Sequence, residues 1–338
     1  MNKAEHKMVA VAHIGHGYWG RNLARNFHEL GHLAAIVDAD ENAARTAAAG
    51  YGVVAATFDE VLADKPIDAV SLASPAGLHF AQARAALNAG KHVYVEKPLA
   101  LDVSEAEELC ALADSRGLTL MVGHLLQYHP IYVRLREMAA AGEFGRIHHV
   151  YSNRLSLGKF RTEENVLWSF APHDISMILG LVGEEPEAVS AQGTAAFTSG
   201  IADLVSAQMR FPGGTRAHVL VSWMHPFKEQ RLVVIGDKAM AVFEDSQPVW
   251  EDKLQVYRHA IDCSGAVPNP VKADAERVIV ARSEPLKDEC RHFVQCIETG
   301  ERPRTDGREG LAVLRVLDAA ERALGENLAA SARAGENV

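Results

Sequence analysis

The chain is short of cysteine, of long apolar runs and of basic charge, and each shortage removes a class of function. Its four cysteines, Cys110, Cys263, Cys290 and Cys296, form no CxxC pair and have no zinc-type spacing with histidine. They read as reduced, buried thiols rather than as a disulfide or zinc framework. No apolar run approaches the ~20 residues that span a bilayer, and the stretch from Met1 to Met8 is polar, without a signal-peptide core. A cytoplasmic location is expected. Lysine and arginine number 34 against 44 aspartates and glutamates, a net charge of -10. An acidic body is not drawn to polyanions, so neither nucleic acid nor a membrane is expected as a partner. A small anionic ligand would need a locally basic pocket. The histidines, including His148, His149 and His218, show no ligand spacing, and no metal is expected.

What is present reads as two domains in 338 residues. In residues 1–124, apolar runs at Val9–Ile14, Leu33–Val37, Ala69–Ser74, His92–Val95 and Leu118–Val122 alternate with alanine-rich helical segments. This alternation predicts an α/β, Rossmann-type doubly wound parallel sheet. In residues 125–338, one helix (Ile131–Ala141) precedes strand candidates from Arg146–Leu155 through Leu254–Arg258, joined by short turns. Two helices, near Leu286–Thr299 and Gly307–Leu324, close the chain, and only about the last ten residues look disordered. The pattern predicts a C-terminal α+β domain with a large open, mostly antiparallel sheet.

The first strand runs into Gly15-x-Gly17-x-x-Gly20, which also holds Tyr18 and Trp19 and opens a helix. The first glycine permits the tight turn, the second lets a pyrophosphate approach the backbone, and the third allows helix and strand to pack closely. Asp38 ends the second strand, where an acid binds the adenosine ribose and repels the extra phosphate of NADP. The expected cofactor is therefore NAD. Ser74, Pro75 and His79 follow the Ala69–Ser74 run and are candidates to line the cofactor crevice. A helix-capping Ser74 and a packed His79 fit the same positions. The strand His92–Val95 leads to Glu96, Lys97 and Pro98, which sets an ammonium group beside the reactive ring.

These motifs resemble the Gfo/Idh/MocA oxidoreductases over nearly the whole chain. In that family the lysine of the Glu-Lys-Pro motif is a catalytic acid/base, a role that falls by resemblance on Lys97. A second signature histidine falls on His173. The family's aspartate four residues earlier is replaced by Ser169, which weakens an Asp–His relay. A narrower resemblance, in Val122–Pro130 and Ser152–Ser176, is to UDP-N-acetylglucosaminuronate 3-dehydrogenases of bacterial surface-polysaccharide (O-antigen) synthesis. It implies oxidation of the 3-hydroxyl of a UDP-sugar acid to a ketone. Some relatives recycle the cofactor with 2-oxoglutarate as hydride acceptor.

The physical reading adds Asn153, Arg154, Lys159 and Arg161, three cations and an amide donor suited to a diphosphate and a carboxylate. Glu163 and Glu164 compete for the same cations. Pro172-His173-Asp174 precedes a helix-like Ile175–Leu181, so Asp174 is a helix-cap candidate. His124 is assigned to the nicotinamide region and Tyr128 to substrate; Trp168 either closes over the cofactor or fills the core. For catalysis, Lys97 takes the hydroxyl proton if burial and the cationic ring lower its pKa, while Glu96 opposes this by favouring the ammonium form. Alternation along Thr215–Trp223 and Arg231–Ile235 leaves an apolar sheet face, so a homo-oligomer, dimer or tetramer, is expected. The rival readings are a dehydrogenase of an unactivated sugar or inositol, and a cofactor-sensing regulator on the same fold.

Overall fold

The computed structural model describes residues 8–262 and 264–335. In chain order the strands are β1 (Val11–Ile14), β2 (Leu33–Val37), β3 (Val54–Ala55), β4 (Ala69–Leu72), β5 (His92–Glu96), β6 (Leu120–Gly123), β7 (Ile147–Leu157) and β8 (Ala188–Thr194). They continue as β9 (Leu204–Arg210), β10 (Arg216–Ser222), β11 (Met224–Gly236), β12 (Met240–Glu244), β13 (Leu254–Tyr257), β14 (Ala260–Asp262), β15 (Asn269–Val271) and β16 (Ala275–Arg277). The α-helices are α1 (Gly20–Glu29), α2 (Glu41–Tyr51), α3 (Phe58–Ala63), α4 (His79–Asn88), α5 (Val103–Arg116), α6 (Pro130–Ala140), α7 (Val166–Val182), α8 (Pro285–Thr299) and α9 (Gly307–Gly335). The chain divides into two compact units, one of residues 1–128 and 284–314, the other of 129–283 and 315–338.

The first unit is the parallel sheet β3-β2-β1-β4-β5-β6. β1 and β4 are buried at every position, as strands covered on both faces must be. Local chemistry marks the helix ends. Asp40 caps α2 by accepting from the amides of Asn42 and Ala43, and Gly52 ends it in the left-handed region. Thr57 and Glu60 form a reciprocal capping box on α3. The core centres on Phe27, Tyr94 and Phe293, whose rings meet edge to face at centroid separations of 5.8–6.3 Å.

Phe293 lies on α8, far along the chain, and this changes the expected boundary at residue 124. Leu286, Cys290, Phe293 and Val294 join the same core as Leu23, Phe27 and Tyr94. The Val122 amide donates to the Thr305 carbonyl at 2.8 Å, and Met121 bridges Asp306 in antiparallel sense. Residues 284–314 therefore complete the first unit. The apolar face of α8 has its partners there, which no local pattern announces.

The second unit holds the sheet β16-β13-β12-β11-β7-β10-β9-β8. It is antiparallel at every pairing except one: β10 runs parallel to β7, in register from Arg216↔His149 to Ser222↔Leu155. Helix α7 covers one face, packing on β7, β9 and β10. On the other face Tyr151 sits opposite His218 and Val233. Its ring stacks on that of His218 at 5.1 Å and 3°. The short hairpin β14–β15 stands apart from this sheet. Among the described residues, no helix is long and apolar enough to cross a membrane. Cys290 and Cys296 are buried free thiols and Cys110 is half-buried; Cys263 and most of the last ten residues, in whole or for their side chains, lie outside the described residues.

Candidate active site

In the first unit the strand order reverses between β1 and β4, and ligands of open α/β sheets bind at the carboxyl ends flanking that switch. Gly15 leaves β1 there with φ +90°, and a β-carbon on it would lie 2.7 Å from the Ala73 carbonyl carbon at the end of β4. A β-carbon on Gly20 would lie 1.9 Å from the Gly15 carbonyl oxygen, whereas one on Gly17 would meet nothing within 4 Å. The first and third glycines thus close the turn onto the sheet, and the second faces open space. That space is a cavity of about 920 Å³ lined by Gly15, Gly17, Asp38, Ser74, Pro75 and Gln82 among others. It is large enough for an adenine dinucleotide's adenosine and pyrophosphate, and its walls are the residues such a group requires.

The Asp38 carboxylate is held at the rim. Its Oδ2 accepts from the His16 amide at 2.7 Å and its Oδ1 from the Asp40 amide at 2.9 Å. Two of its lone-pair positions remain for a ribose diol. Arg45, the cation on this wall, is tied to Glu41 and Asn42. Ser74 is not a helix cap: its hydroxyl donates to Gln82 Oε1 at 2.5 Å. His79 is 1% exposed, with Nδ1 2.7 Å from the Pro98 carbonyl and Nε2 2.9 Å from the Ser74 carbonyl. It therefore ties the Lys97-Pro98 corner to the Ser74 loop instead of presenting a nitrogen to the cavity. Burial holds its pKa below the usual imidazole range.

Lys97 follows β5 at the same end of the sheet, half-buried, with a cis peptide to Pro98. Glu96 is oriented by Trp19, whose indole Nε1 donates to its Oε1 at 2.5 Å. Burial raises the Glu96 pKa above the carboxylate range, against the opposing pull of the Trp19 hydrogen bond and Lys97. Gly123 sits opposite Glu96 in the pairing of β5 with β6. A side chain there would meet Tyr94 Oη at 2.8 Å and the Glu96 carboxyl at 3.1 Å, so this glycine makes room for both. Tyr18 is 86% exposed.

His124 is buried and holds Glu309 of α9 at 2.6 Å through Nδ1. The expectation that Tyr128 contacts substrate is corrected. Its ring is 4% exposed. Its hydroxyl lies 2.9 Å from His292 Nδ1 and 3.3 Å from Thr305 Oγ1, inside the first unit. Burial and the Glu289 charge raise its pKa.

In the second unit the helix expected from Ile175 begins nine residues earlier. Asn165 caps α7, accepting from the amides of Leu167 and Trp168. The helix continues through Pro172 because Ala171, Pro172 and Asp174–Leu179 are all buried, so packing outweighs the backbone bond that proline forfeits. His173 is consequently a mid-helix residue. Ser169, one turn earlier, occupies the i,i+4 position on its face. Asp174 caps nothing: it is 1% exposed, accepts Ser152 Oγ at 2.5 Å and pairs with Arg154 at 2.6 Å (Nε–Oδ2) and 3.3 Å (Nη2–Oδ1).

The four expected substrate-binding side chains do not form one cluster. Asn153 and Arg154 are successive residues of β7 and point to opposite faces. Arg154 reaches Asp174 on α7, and Asn153 Nδ2 donates to Glu229 Oε1 at 2.8 Å. Lys159 and Arg161 lie on the exposed loop after β7, where Arg161 pairs with Glu164 at 2.7 Å. Trp168 is tethered through its indole to Glu321 of α9 at 3.1 Å. Sequence reasoning missed Gln82, Glu309, Asp174 as counter-ion, and Glu289. The last carries a visible signal, a carboxylate within the apolar stripe Leu286, Cys290, Phe293. Among the described residues, no group of three or more histidines, cysteines or carboxylates is placed to hold a metal.

A glycine turn at a topological switch, an acid at the end of β2 and a lysine at the end of β5 define a nicotinamide-nucleotide oxidoreductase. Residues 9–124 match the NAD-binding Rossmann domain of the Gfo/Idh/MocA oxidoreductases, and residues 132–242 match a C-terminal domain of that family. The chain belongs to that family. It is 32% identical over 315 residues to the UDP-N-acetylglucosamine 3-dehydrogenase of Acidithiobacillus ferrooxidans, covering 89% of this chain and 92% of that one. The solved structure of an enzyme of that name and organism superposes with a TM-score of 0.84 at 30% identity, over 95% of this chain and 99% of that one. The inositol 2-dehydrogenase of Rhizobium meliloti is 26% identical, over 87% and 89% of the two chains.

Proposed function

We propose that this protein oxidises the 3-hydroxyl of a UDP-N-acetylglucosamine-type sugar nucleotide to the 3-ketone, with NAD as acceptor and Lys97 as base. The observation that carries the reading is Lys97 at the carboxyl end of β5, in a chain similar along nearly its full length to a UDP-N-acetylglucosamine 3-dehydrogenase. Bound at the glycine turn, the nicotinamide supplies the two-electron acceptor. Asp38 binds the ribose and disfavours a 2′-phosphate. Glu96, held by Trp19, orients the Lys97 corner, and Lys97 Nζ takes the hydroxyl proton; His173 is the second candidate acid/base. Of the cations expected at the substrate, Lys159 and Arg161 on the exposed loop after β7 are the ones left to meet its anionic groups, Arg154 being committed to Asp174.

The 6-carboxylate form of the sugar, UDP-N-acetylglucosaminuronic acid, asks for one more unbalanced cation than the neutral form. Arg154 and Arg161 already carry carboxylate partners, which favours the neutral sugar of the two. The same two ion pairs, with the likeness to inositol 2-dehydrogenase, support a second reading in which the substrate is an unactivated sugar or cyclitol. A homo-oligomer, dimer or tetramer, would bury the sheet face bearing Tyr151 and His218.

The test is incubation of purified protein with NAD and each of UDP-N-acetylglucosamine, its uronic acid and myo-inositol, with and without 2-oxoglutarate. Products are followed by mass spectrometry, because an unfavourable equilibrium hides NADH absorbance. Loss of two hydrogens from a UDP-sugar alone is expected. Turnover of inositol with both nucleotides inert would replace the proposal by the second reading, and dependence on 2-oxoglutarate would show in-place cofactor recycling. No turnover of any substrate, with NAD bound, would favour a cofactor-sensing regulator.

A further inference from the structure

A chain of three polar groups, the half-buried Glu96 and the buried Tyr94 and Glu289, runs from the candidate catalytic corner into the core of the first unit. Tyr94 Oη lies 3.1 Å from Glu289 Oε2 and 3.4 Å from Glu96 Oε1. Tyr94 and Glu289 are both fully buried, and Glu289 Oε1 has no hydrogen-bond partner. Their surroundings are largely apolar: Phe27 from α1 and Phe293 from α8 meet the Tyr94 ring. The charged and titratable groups facing the chain are Lys97 beside Glu96, the His124–Glu309 pair beyond β6, Cys290 and Tyr128 near Glu289, and the Arg25–Glu284 pair outside Cys290. Lys97 acts on Glu96, and no cation bonds Glu289 among the described residues.

A phenol has one hydrogen and therefore donates to only one of the two carboxyls at a time; toward the other its oxygen can only accept, from that carboxyl in its protonated form. Two ionised carboxylates joined through one tyrosine repel each other at close range, so the pair holds one proton between them. We propose that Glu96 and Glu289 share a single proton through Tyr94, and that Glu289 is thereby a positioning residue that lets Glu96 be uncharged while Lys97 acts as base. This rests on the reading of Lys97 given above. In the transfer, the Glu289 O–H bond breaks as a new Tyr94 O–H forms, and the original Tyr94 O–H breaks as a Glu96 O–H forms. One proton moves and the net charge of the chain is unchanged. When Lys97 becomes an ammonium ion, the proton returns to Glu289 and Glu96 becomes its counter-ion. The conflict between a basic Lys97 and an adjacent carboxylate is removed by this movement. Burial raises the affinity of both carboxyls for a proton, Glu96 despite Trp19 and Lys97, and the nearby Glu96 raises that of Glu289 further.

The test is Glu289→Gln, which keeps the shape and removes the shared proton, with Tyr94→Phe as a second variant that breaks the chain at its middle. Infrared difference spectra at neutral pH should show the carbonyl band of a protonated carboxylic acid in the wild type and lose it in Glu289→Gln. With Glu96 left as a permanent carboxylate, the acid limb of the oxidation rate should move to higher pH by about one unit, a tenfold lower rate on that limb, with NAD affinity unchanged. Tyr94→Phe should move the limb the same way. An absent band in the wild type overturns the shared proton whatever the activity. A present band with an unmoved limb, in an enzyme that Lys97→Met inactivates, overturns the coupling to Lys97. A present band in an enzyme that Lys97→Met leaves active refutes the reading of Lys97, and the coupling falls with it while the proton pair stands.

Discussion

Asp174→Ala tests what holds α7, the helix of His173, on its sheet. The aspartate is 1% exposed and the guanidinium of Arg154 14%, so the two bonds at 2.6 and 3.3 Å sit largely outside solvent screening. Removing the carboxylate leaves a mostly buried guanidinium with only the Asp245 carboxylate near enough to act on it, a change that costs up to about 3–5 kcal/mol. Ser152 retains a carbonyl acceptor, Arg231, at 3.3 Å, so its hydroxyl adds little to the loss. In a unit of this size the deficit corresponds to a fall in Tm of roughly 6–20 °C. Of the four tryptophans, Trp168, Trp223 and Trp250 lie in the second unit, so urea unfolding followed by tryptophan fluorescence reports mainly on that unit. The pair Asp174→Leu with Arg154→Met removes both charges and keeps the volume, and should recover to within about 1 kcal/mol of wild type. A single variant that loses less than about 1 kcal/mol, or a double variant no better than the single one, would refute an argument built on an uncompensated buried charge.

Lys97→Met should abolish turnover while NAD still binds in calorimetry; near-normal activity would remove Lys97 from the mechanism. Asp38→Asn keeps an acceptor for one of the His16 and Asp40 amides and drops the charge. It should raise the ratio of kcat/KM for NADP over NAD by about tenfold or more, and an unchanged ratio would place the discrimination elsewhere. His13 is fully buried between Ser71 and the Gly15 carbonyl, and burial together with His16 lowers its pKa to about 3. Below pH ~6.5 the unfolded chain therefore takes up a proton that the native one refuses, so the stability present above that pH falls steadily towards pH 3. At pH 5 the loss is about 2 kcal/mol. His13→Gln should flatten urea-derived stability over that interval, and a slope equal to wild type would contradict it.

The first sheet was legible because parallel strands buried on both faces are continuous apolar runs, and β2 was read to its residue. The two-residue β3, both positions exposed, has no such run and leaves no trace in the sequence. In the second unit the alternation of β9 to β12 is plain, yet nothing in it says that β7 lies between β11 and β10, or that its pairing with β10 is parallel. Register and strand order depend on contacts between residues some seventy positions apart, such as Ser152 with Val219 and Leu232. The return of residues 284–314 to the first unit goes unseen for the same reason. The helix α8 has an unmistakable apolar face, but only the fold shows that Phe27 and Tyr94 receive it.

At the site, residue types were legible and their neighbours were not. Gly15, Gly17, Gly20, Asp38 and Lys97 follow strands at one sheet end, since a strand followed by a tight turn leaves little choice of geometry. The basic run failed as a cluster because charge was counted along the chain. Asn153 and Arg154 occupy alternate faces of β7, and the counter-ion of Arg154 is twenty residues on, in a helix thought to begin after it. The same holds for His124, whose carboxylate partner is Glu309, and for Glu96, which raises the proton affinity of a second carboxyl, Glu289 in α8. A charged side chain near chemistry is defined by what neutralises it, and that partner is set by the fold. Lys97 is the instructive case. From the motif alone its neighbour Glu96 is an obstacle to a lysine base, whereas with Tyr94 and Glu289 behind it the same carboxyl can follow the lysine's charge.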